Sequence, residues 1–246
     1  MTSLDGVQTP KTRQMPPNKT ALVAALDIGT SKIACLIARL KPCAPSDALR
    51  GRTHAVELIG LSHIQSRGVK AGAVVDLNEC EQAVRQAVAL AERMAKVRVE
   101  SVLLSVSAGR LQGAMVEASS ELRGGGVTPA DMSRVISAGM HHATPQGRTV
   151  LHVLPATYSL DGVKGVRDPS GMVARHFGID MNVMTADATA AKNLMLVVER
   201  CHLNVEAMAA APYVSGLSVL TDDEADRAVE AVIEAVRHQC GGTLRS

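Results

Sequence analysis

Short apolar runs bounded by Gly, Pro, Ser or Asp dominate the chain from residue 21 onward, and this pattern predicts β-strands. Three such runs (ALVAALDI, KIACLIARL and AVELIGLSHI) follow one another closely and predict an antiparallel meander. A continuous apolar run over 99–107 predicts a further, buried strand. Residues 1–20 contain three prolines and few apolar side chains, which predicts a disordered N-terminal arm.

The period of the apolar positions changes from that of a strand to that of a helix after Asp76. Asp76 is the predicted N-cap of this helix, and Glu79, three residues later, is the second member of a predicted capping box. The stripe expected to face the core consists of Ala83, Ala87, Leu90, Ala91 and Met94.

A second region, residues 108–184, predicts a compact α+β unit with the order strand, helix, strand, strand. Thr128 is the predicted N-cap of its helix, with Pro129 as the first helical residue. Beyond this unit the pattern predicts a helix over 188–203, a strand over 205–211 and a short helix over 212–220.

A terminal helix is predicted to start at the sequence TDDE (221–224) and to end at a Gly-Gly pair. Its polar face mixes acidic and basic residues, whereas helices that lie on membranes favour a basic face and bulky apolar residues. Packing against the rest of the chain, or disorder, is therefore favoured over a membrane anchor. The apolar stripe of this helix comprises Ala225, Val229, Val232, Ile233 and Val236.

Composition narrows the classes of function. Of the residues, 46% are hydrophobic but only 1% aromatic, so a core of aliphatic side chains and Met is expected. A net charge of +2 and the lack of aromatic stacking platforms argue against nucleic acid as a partner. The five cysteines show neither a CxxC nor a paired Cys/His spacing, which argues against a zinc site or a disulfide framework and fits a reducing cytosol.

The turn between the first two predicted strands carries the candidate chemistry. Gly29 lets backbone N–H groups approach a bound anion without a Cβ in the way. Thr30 and Ser31 can donate hydroxyl hydrogen bonds, and Lys32 supplies a positive charge for a phosphate. Asp27, at the strand end, can hold a hydrated Mg²⁺. The alternative is an ordinary hairpin turn, because these residue types are common in turns and neither GxxxxGK[ST] nor GxGxxG occurs.

Longer stretches beyond this turn resemble the bacterial cell-division family FtsA, whose fold is that of actin and hexokinase. These stretches are SRGVKAGAVVDLN (66–78), VLHVLPATYSLDGVKGVRDPSGM (150–172) and the segment from TADATAAK to TDDEAD. The resemblance covers roughly residues 21–226. It implies an α/β fold (α+β overall): an actin/hexokinase-type, ribonuclease H-like first lobe with an inserted strand-helix-strand-strand subdomain.

The resemblance also implies a domain organisation. Residues 21–107 and 185–226 correspond to the two parts of the first lobe, and 108–184 to the inserted FtsA-type subdomain. Residues 227–246 depart from the family pattern as a divergent terminal helix and tail. The second lobe and the C-terminal membrane helix of the family are expected to be missing from what is then a truncated N-terminal portion.

For function, the resemblance implies an actin-like scaffold that links the FtsZ ring to the inner face of the cytoplasmic membrane at the division site. ATP and Mg are the implied ligands, FtsZ and other division proteins the implied partners, and self-association is expected. The implied ATP-binding residues are those of the turn, with Asp27 reaching Mg through water. Because the family clamps its nucleotide between two lobes, we expect ATP to bind weakly or not at all, with weak ATPase activity at most.

A loop within the inserted subdomain is the predicted protein-contact surface, by the same resemblance; an ordinary surface loop is the alternative. Two other functions of related folds stay open, namely a sugar-kinase-like phosphotransferase and an actin-like protein of pilus assembly. A kinase would need a catalytic carboxylate and a closing second lobe, and residues 187–246 supply neither. The predicted contact residues are Asp161, Gly162, Asp168, Pro169 and Gly171.

Overall fold

The computed structural model describes residues 18–43, 54–107, 110–122 and 124–219. The strands are β1 (Ala21–Ile28), β2 (Lys32–Pro42), β3 (His54–Gln65), β4 (Val69–Lys70), β5 (Ala73–Val74), β6 (Ser101–Val106), β7 (Gln112–Glu121), β8 (Arg148–Leu160), β9 (Val163–Val166), β10 (His176–Asp187) and β11 (Asn204–Ala210). The helices are α1 (Leu77–Ala95), α2 (Pro129–Ala143), α3 (Ala188–Arg200) and α4 (Ala211–Val219).

A five-stranded sheet with the order β11-β6-β1-β2-β3 forms the first structural layer. β1, β2 and β3 pair antiparallel, which confirms the predicted meander, whereas β6 and β11 run parallel to β1. The parallel strands are reached through the crossover helices α1 and α3. Both helices pack on the same face of the sheet, where their apolar residues share one core with the strands. The mixed α/β class predicted from the sequence is confirmed.

The alternation of side chains along the strands decides which residues enter this core. Leu26 on β1 and Ile33 and Ile37 on β2 are fully buried beneath the two helices. On α1 the predicted stripe is wrong at two positions, since Leu90 and Met94 are exposed. The buried face is rotated toward Cys80, Val84 and Val88, so the helix presents its β-branched residues to the sheet. The buried residues of α1 are Cys80, Ala83, Val84, Ala87, Val88 and Ala91.

A four-stranded antiparallel sheet with the order β7-β10-β8-β9 and the helix α2 form a second unit with its own core. Phe177, the single phenylalanine of the chain, is fully buried in that core. The predicted order strand, helix, strand, strand lacks one element, because β9 pairs with the end of β8 within the segment expected to be a loop. The predicted domain limit between 184 and 185 falls inside β10, which runs directly into α3.

Capping residues set the helix starts that the sequence predicts. The Asp76 side chain accepts hydrogen bonds from the backbone N–H groups of Asn78 and Glu79, but the Asp76 N–H donates to the Gly68 carbonyl oxygen, so the predicted capping box with Glu79 is wrong. Thr128 and Asp131 do form a reciprocal capping box. The short β4–β5 hairpin between β3 and α1 was not predicted. Residues 1–17 of the predicted arm and the helix predicted to start at residue 221 lie outside the described residues.

Candidate functional site

Asp27 lies at the carboxyl end of β1, one residue before the strand ends. Its strand neighbours are Ala34 on β2 and Ser105 on β6. The residue is half-buried, and its Oδ1 atom is buried with no hydrogen-bond partner among the described residues. A buried carboxylate oxygen normally has a partner, because an unmet one costs free energy. Asp27 is thus the residue of the turn region whose polar group most needs a ligand.

The turn after β1 is closed by its own backbone. The Gly29 N–H donates to the carbonyl oxygen of Lys32 at 3.0 Å. A Cβ at position 29 would lie 3.0 Å from that same oxygen, so the tight closure favours glycine here. The Gly29 N–H is therefore used within the hairpin and is not one of the backbone N–H groups that the turn could offer to an anion.

Thr30, Ser31 and Lys32 are exposed at the tip of the hairpin, next to Asp27 in sequence. The Thr30 Oγ1 accepts a hydrogen bond from the Gly72 N–H at 2.8 Å. A hydroxyl has one hydrogen to donate and two lone pairs, so this contact leaves the Thr30 O–H available to an anionic ligand. The tip thus presents hydroxyl donors and an ammonium group on its solvent side.

The chain from Ser66 to the β4–β5 turn donates hydrogen bonds to the β1–β2 turn, and the sequence does not predict these contacts. Besides the Gly72 contact, the Ser66 N–H donates to the Ser31 carbonyl oxygen at 3.0 Å. Ala71 and Gly72 both adopt positive φ, at 47° and 76°, as a two-residue hairpin turn requires. The glycine at 72 was the available signal, but two-residue strands give no readable alternation.

The predicted contact loop is an ordered hairpin and a pinned return rather than a free loop. Asp161 and Gly162 form the positive-φ turn between β8 and β9. The Asp161 Oδ1 accepts hydrogen bonds from the N–H groups of Arg175 and His176 at 2.9 and 2.8 Å. The hydrogen bond from the His176 N–H is the main reason why the pKa of Asp161 lies below its ordinary value.

The second part of that loop turns back onto the segment before α2. The Asp168 Oδ1 accepts from the Ser170 N–H at 3.0 Å, and the Gly171 N–H donates to the Val127 carbonyl oxygen at 2.9 Å. Asp168 and Gly171 are exposed, but Pro169 is buried and cannot offer a contact surface as predicted. The loop belongs to the four-stranded unit, so the structure does not bring it together with the β1–β2 turn.

Other chemistry is sparse in the described part of the chain. Among those residues there is no group of three or more His, Cys, Asp or Glu side chains that could hold a metal ion. Burial raises the pKa of the Cys35 thiol to about 11, so this cysteine is an inert core residue. None of the described helices combines the length and the apolarity that crossing a membrane requires.

Comparison with known proteins gives a family match for the inserted unit. Residues 108–185 match the family described as the SHS2 domain inserted in FtsA. The cell division protein FtsA of Rhizobium meliloti strain 1021 is 45% identical over 223 residues, which cover 91% of this chain and 50% of that protein. FtsA of Escherichia coli K12 is 32% identical over 212 residues, covering 85% of this chain and 47% of that protein. The chain therefore spans about half the length of the curated relatives it matches.

One solved structure shows the same fold over most of the described chain. The PilM–PilN type IV pilus biogenesis complex superposes with a TM-score of 0.52 and covers 79% of this chain and 49% of that one. At 13% sequence identity this likeness concerns the fold alone.

Proposed function

The chain belongs to the FtsA family of cell-division proteins, of which it spans about half the length, and from this we propose that it acts as an actin-like scaffold in division. Division proteins, with FtsZ first among them, are its proposed partners. Its proposed place is the cytoplasmic face of the membrane at the division site. Contact with partners is assigned to the exposed part of the loop in the four-stranded unit, namely Asp161, Gly162, Asp168 and Gly171.

We further propose that the β1–β2 turn binds the phosphates of ATP. The observation that carries this proposal is the buried Asp27 Oδ1, which has no partner within the described ranges, beside an exposed tip of hydroxyl and ammonium donors. An ordinary hairpin turn would leave this buried carboxylate oxygen without a partner, whereas a phosphate site with a bound cation would give it one. Thr30, Ser31 and Lys32 are the proposed phosphate ligands.

Magnesium fits the residues that are present. A single carboxylate with an oxygen that no other described residue contacts by a hydrogen bond suits Mg²⁺, which keeps most of its water shell and takes few protein ligands. Asp27 is the proposed holder, through water. When bound, the ion would neutralise part of the phosphate charge. The chain's own residues would orient the phosphates and exclude water on the sheet side of the turn.

The described residues contact a nucleotide from one side only, so the affinity should be low. Four polar contacts (Thr30, Ser31, Lys32 and the ion held by Asp27) at about 1 kcal/mol each give a Kd of about 1 mM. Isothermal titration calorimetry with Mg-ATP tests this estimate. Binding in the low-micromolar range would contradict the one-sided geometry, and the absence of binding at 10 mM ligand (about ten times the estimated Kd) would contradict the phosphate site.

A matched pair of lysine variants locates the site. Lys32→Ala removes the ammonium at the proposed site, whereas Lys41→Ala removes an exposed ammonium near the opposite end of the same strand. We expect Lys32→Ala to weaken Mg-ATP binding several-fold, by about 1 kcal/mol. Lys41→Ala should leave binding unchanged, and equal losses in both variants would assign the effect to general charge.

The scaffold role is tested separately, by co-sedimentation with FtsZ polymers. The full chain should pellet with FtsZ, and Asp168→Lys in the proposed contact surface should weaken self-association of the chain, measured by sedimentation velocity. Absence of co-sedimentation would contradict the assignment of FtsZ as a direct partner of this part of the family. Hexose-dependent ADP production in a coupled assay would instead favour the sugar-kinase alternative.

A further inference from the structure

Two stretches of chain connect the four-stranded unit to the five-stranded sheet. One leads from β6 to β7 and contains Arg110, and the other is the end of β10, which contains Thr185 and continues into α3. The Arg148 side chain, at the start of β8, contacts both stretches. It donates hydrogen bonds to the Arg110 carbonyl oxygen at 2.7 Å and to the Thr185 carbonyl oxygen and Oγ1, each at 2.8 Å. Arginine stays protonated in proteins, so this connection does not change with pH.

A second contact between the two units lies further along β8, at His152. Within the described ranges β11 is an edge strand of the five-stranded sheet, so its outer side has no strand partner in that sheet. At the last residue of β11, the Ala210 N–H donates a hydrogen bond to the His152 Nε2 at 2.9 Å. Because Nε2 accepts this hydrogen bond it carries no proton, and the His152 ring is neutral, with its hydrogen on Nδ1.

The first turn of α4 completes this contact. The rings of His152 and Tyr213 lie together with their centroids 4.7 Å apart. α4 follows β11 directly, so His152 contacts both the end of the strand and the helix that starts there. A proton on Nε2 would remove the acceptor of the Ala210 N–H, and it would place a positive charge near the positive end of the α4 dipole.

The groups around His152 leave burial as the cause that acts on its titration. From α4 the titratable neighbour is Tyr213, whose pKa is raised by burial, so it is neutral at pH 7 and below. From β10 the cross-strand neighbour is Met184, which does not titrate. Burial lowers the pKa of His152, and no charge of a described residue contributes to that shift. The charged and titratable residues of the adjacent elements are exposed or contact other groups: His176, Asp180 and Asp187 on β10, Glu206 on β11, and Lys192, Glu199 and Arg200 on α3.

We propose that His152 is a proton-operated switch, which holds α4 against the four-stranded unit when it is neutral and releases α4 when it is protonated. Release separates β8 from Ala210 and Tyr213, whereas Arg148 keeps the two connecting stretches together. The units therefore move relative to each other about Arg148 while both cores stay folded. This switch does not depend on nucleotide binding at the β1–β2 turn.

The size of the effect follows from proton linkage. In the released form His152 has the ordinary histidine pKa of 6.5, whereas the contact with α4 lowers the pKa in the held form. The released form therefore binds protons more tightly, and its population relative to the held form rises as the pH falls. Between pH 7 and pH 5 this ratio increases several-fold, with an upper limit of about 25-fold if the held form takes up no proton.

Hydrogen–deuterium exchange of the full chain, measured at single amides by NMR, tests the proposal. The protection factor of the Ala210 amide, which corrects for the intrinsic effect of pH on exchange, should fall several-fold from pH 7 to pH 5. Leu26 and Ile179 lie in central strands, one in each core, and their amides should stay protected at both pH values. His152→Gln offers an acceptor that does not titrate, so it should abolish the pH dependence. His63→Gln, which removes an exposed histidine of β3, is the matched control and should behave like the wild type.

Tyrosine fluorescence gives a second measurement of the same contact. The chain has two tyrosines and no tryptophan, so Tyr158→Phe leaves Tyr213 as the single fluorophore, and the new phenylalanine keeps a ring against Phe177. Quenching of Tyr213 by acrylamide should increase from pH 7 to pH 5 in this background. It should not change with pH when His152→Gln is added.

Each other outcome overturns the proposal. Equal protection of the Ala210 amide at pH 7 and pH 5 would show that protonation does not release α4. A joint loss of protection at Ala210, Leu26 and Ile179 would assign the effect to unfolding of the whole chain. A pH dependence that persists in His152→Gln would assign it to another group. The comparison of the two pH values uses the wild type, so it decides the proposal even where a variant is unstable.

Discussion

Replacing Asp27 by valine should stabilise the free protein while removing ligand binding. The Asp27 Oδ1 is buried with no partner in the described part of the chain, and such an atom costs about 1–3 kcal/mol of folding free energy. Valine has a similar volume, no polar atom and a high strand propensity, so the variant regains part of that cost. We expect the free energy of unfolding to rise by about 1–2 kcal/mol, and by less in Asp27→Asn, which keeps a polar group there.

Urea denaturation at pH 7, with and without 10 mM Mg-ATP, measures both effects. At a Kd of about 1 mM this ligand concentration adds about 1.4 kcal/mol to the unfolding free energy of the wild type. Without ligand, Asp27→Val should have a higher free energy of unfolding than the wild type, and Mg-ATP should not raise it further. The two observations separate the folded-state cost of the carboxylate from its use in binding.

Asp76→Val is the matched comparison, because it removes an aspartate in extended backbone whose Oδ1 accepts two backbone hydrogen bonds. It should lower stability, since Asn78 and Glu79 lose their acceptor. A loss of stability in Asp27→Val similar to that in Asp76→Val would refute the view that the Asp27 Oδ1 lacks a partner. A ligand-induced increase that persists in Asp27→Val would refute its role at the site.

Further predictions concern packing and pH. Gly60→Ala should lower the free energy of unfolding by about 1–3 kcal/mol in urea denaturation. The reason is that the new Cβ would lie 2.5 Å from the carbonyl oxygen of Ala91 on α1. An unchanged free energy of unfolding would mean that α1 and β3 can separate without cost. Phe177→Ala should cost about 3–5 kcal/mol by the same assay, and a loss below about 1 kcal/mol would contradict full burial. The His152 Nε2 accepts from the Ala210 N–H at 2.9 Å, and burial lowers the His152 pKa. The unfolded chain therefore binds more protons below pH 6.5, and the melting temperature should fall from pH 7 to pH 5, with a smaller fall in His152→Gln.

The contribution of the sequence is clearest where the pattern is local. The strand period over 21–28 and 32–40, the Asp76 cap and the Thr128-Pro129 helix start are all set within a few residues, and the structure contains each of them. The FtsA resemblance rests on contiguous motifs and is confirmed by the family match and the relatives.

The sequence predicts less well the features that depend on contacts between residues far apart in the chain. Leu90 and Met94 fit the helical period, but the sheet beneath α1 selects the face that includes Val84 and Val88. The Gly29 N–H closes the hairpin on the Lys32 carbonyl oxygen, a contact that the sequence pattern does not reveal. Periodicity fixes which residues share a face, and only the packed neighbour decides which face is buried.

What the sequence determined by itself is therefore the set of elements, their caps and the family, since short-range sterics, capping hydrogen bonds and contiguous motifs carry that information. Tertiary structure alone decided that the Asp27 Oδ1 is buried with no hydrogen-bond partner among the described residues, and that Gly72 and Ser66 donate hydrogen bonds to the turn. These facts arise from register between strands distant in the chain, and burial of a polar atom is a property of all its neighbours together.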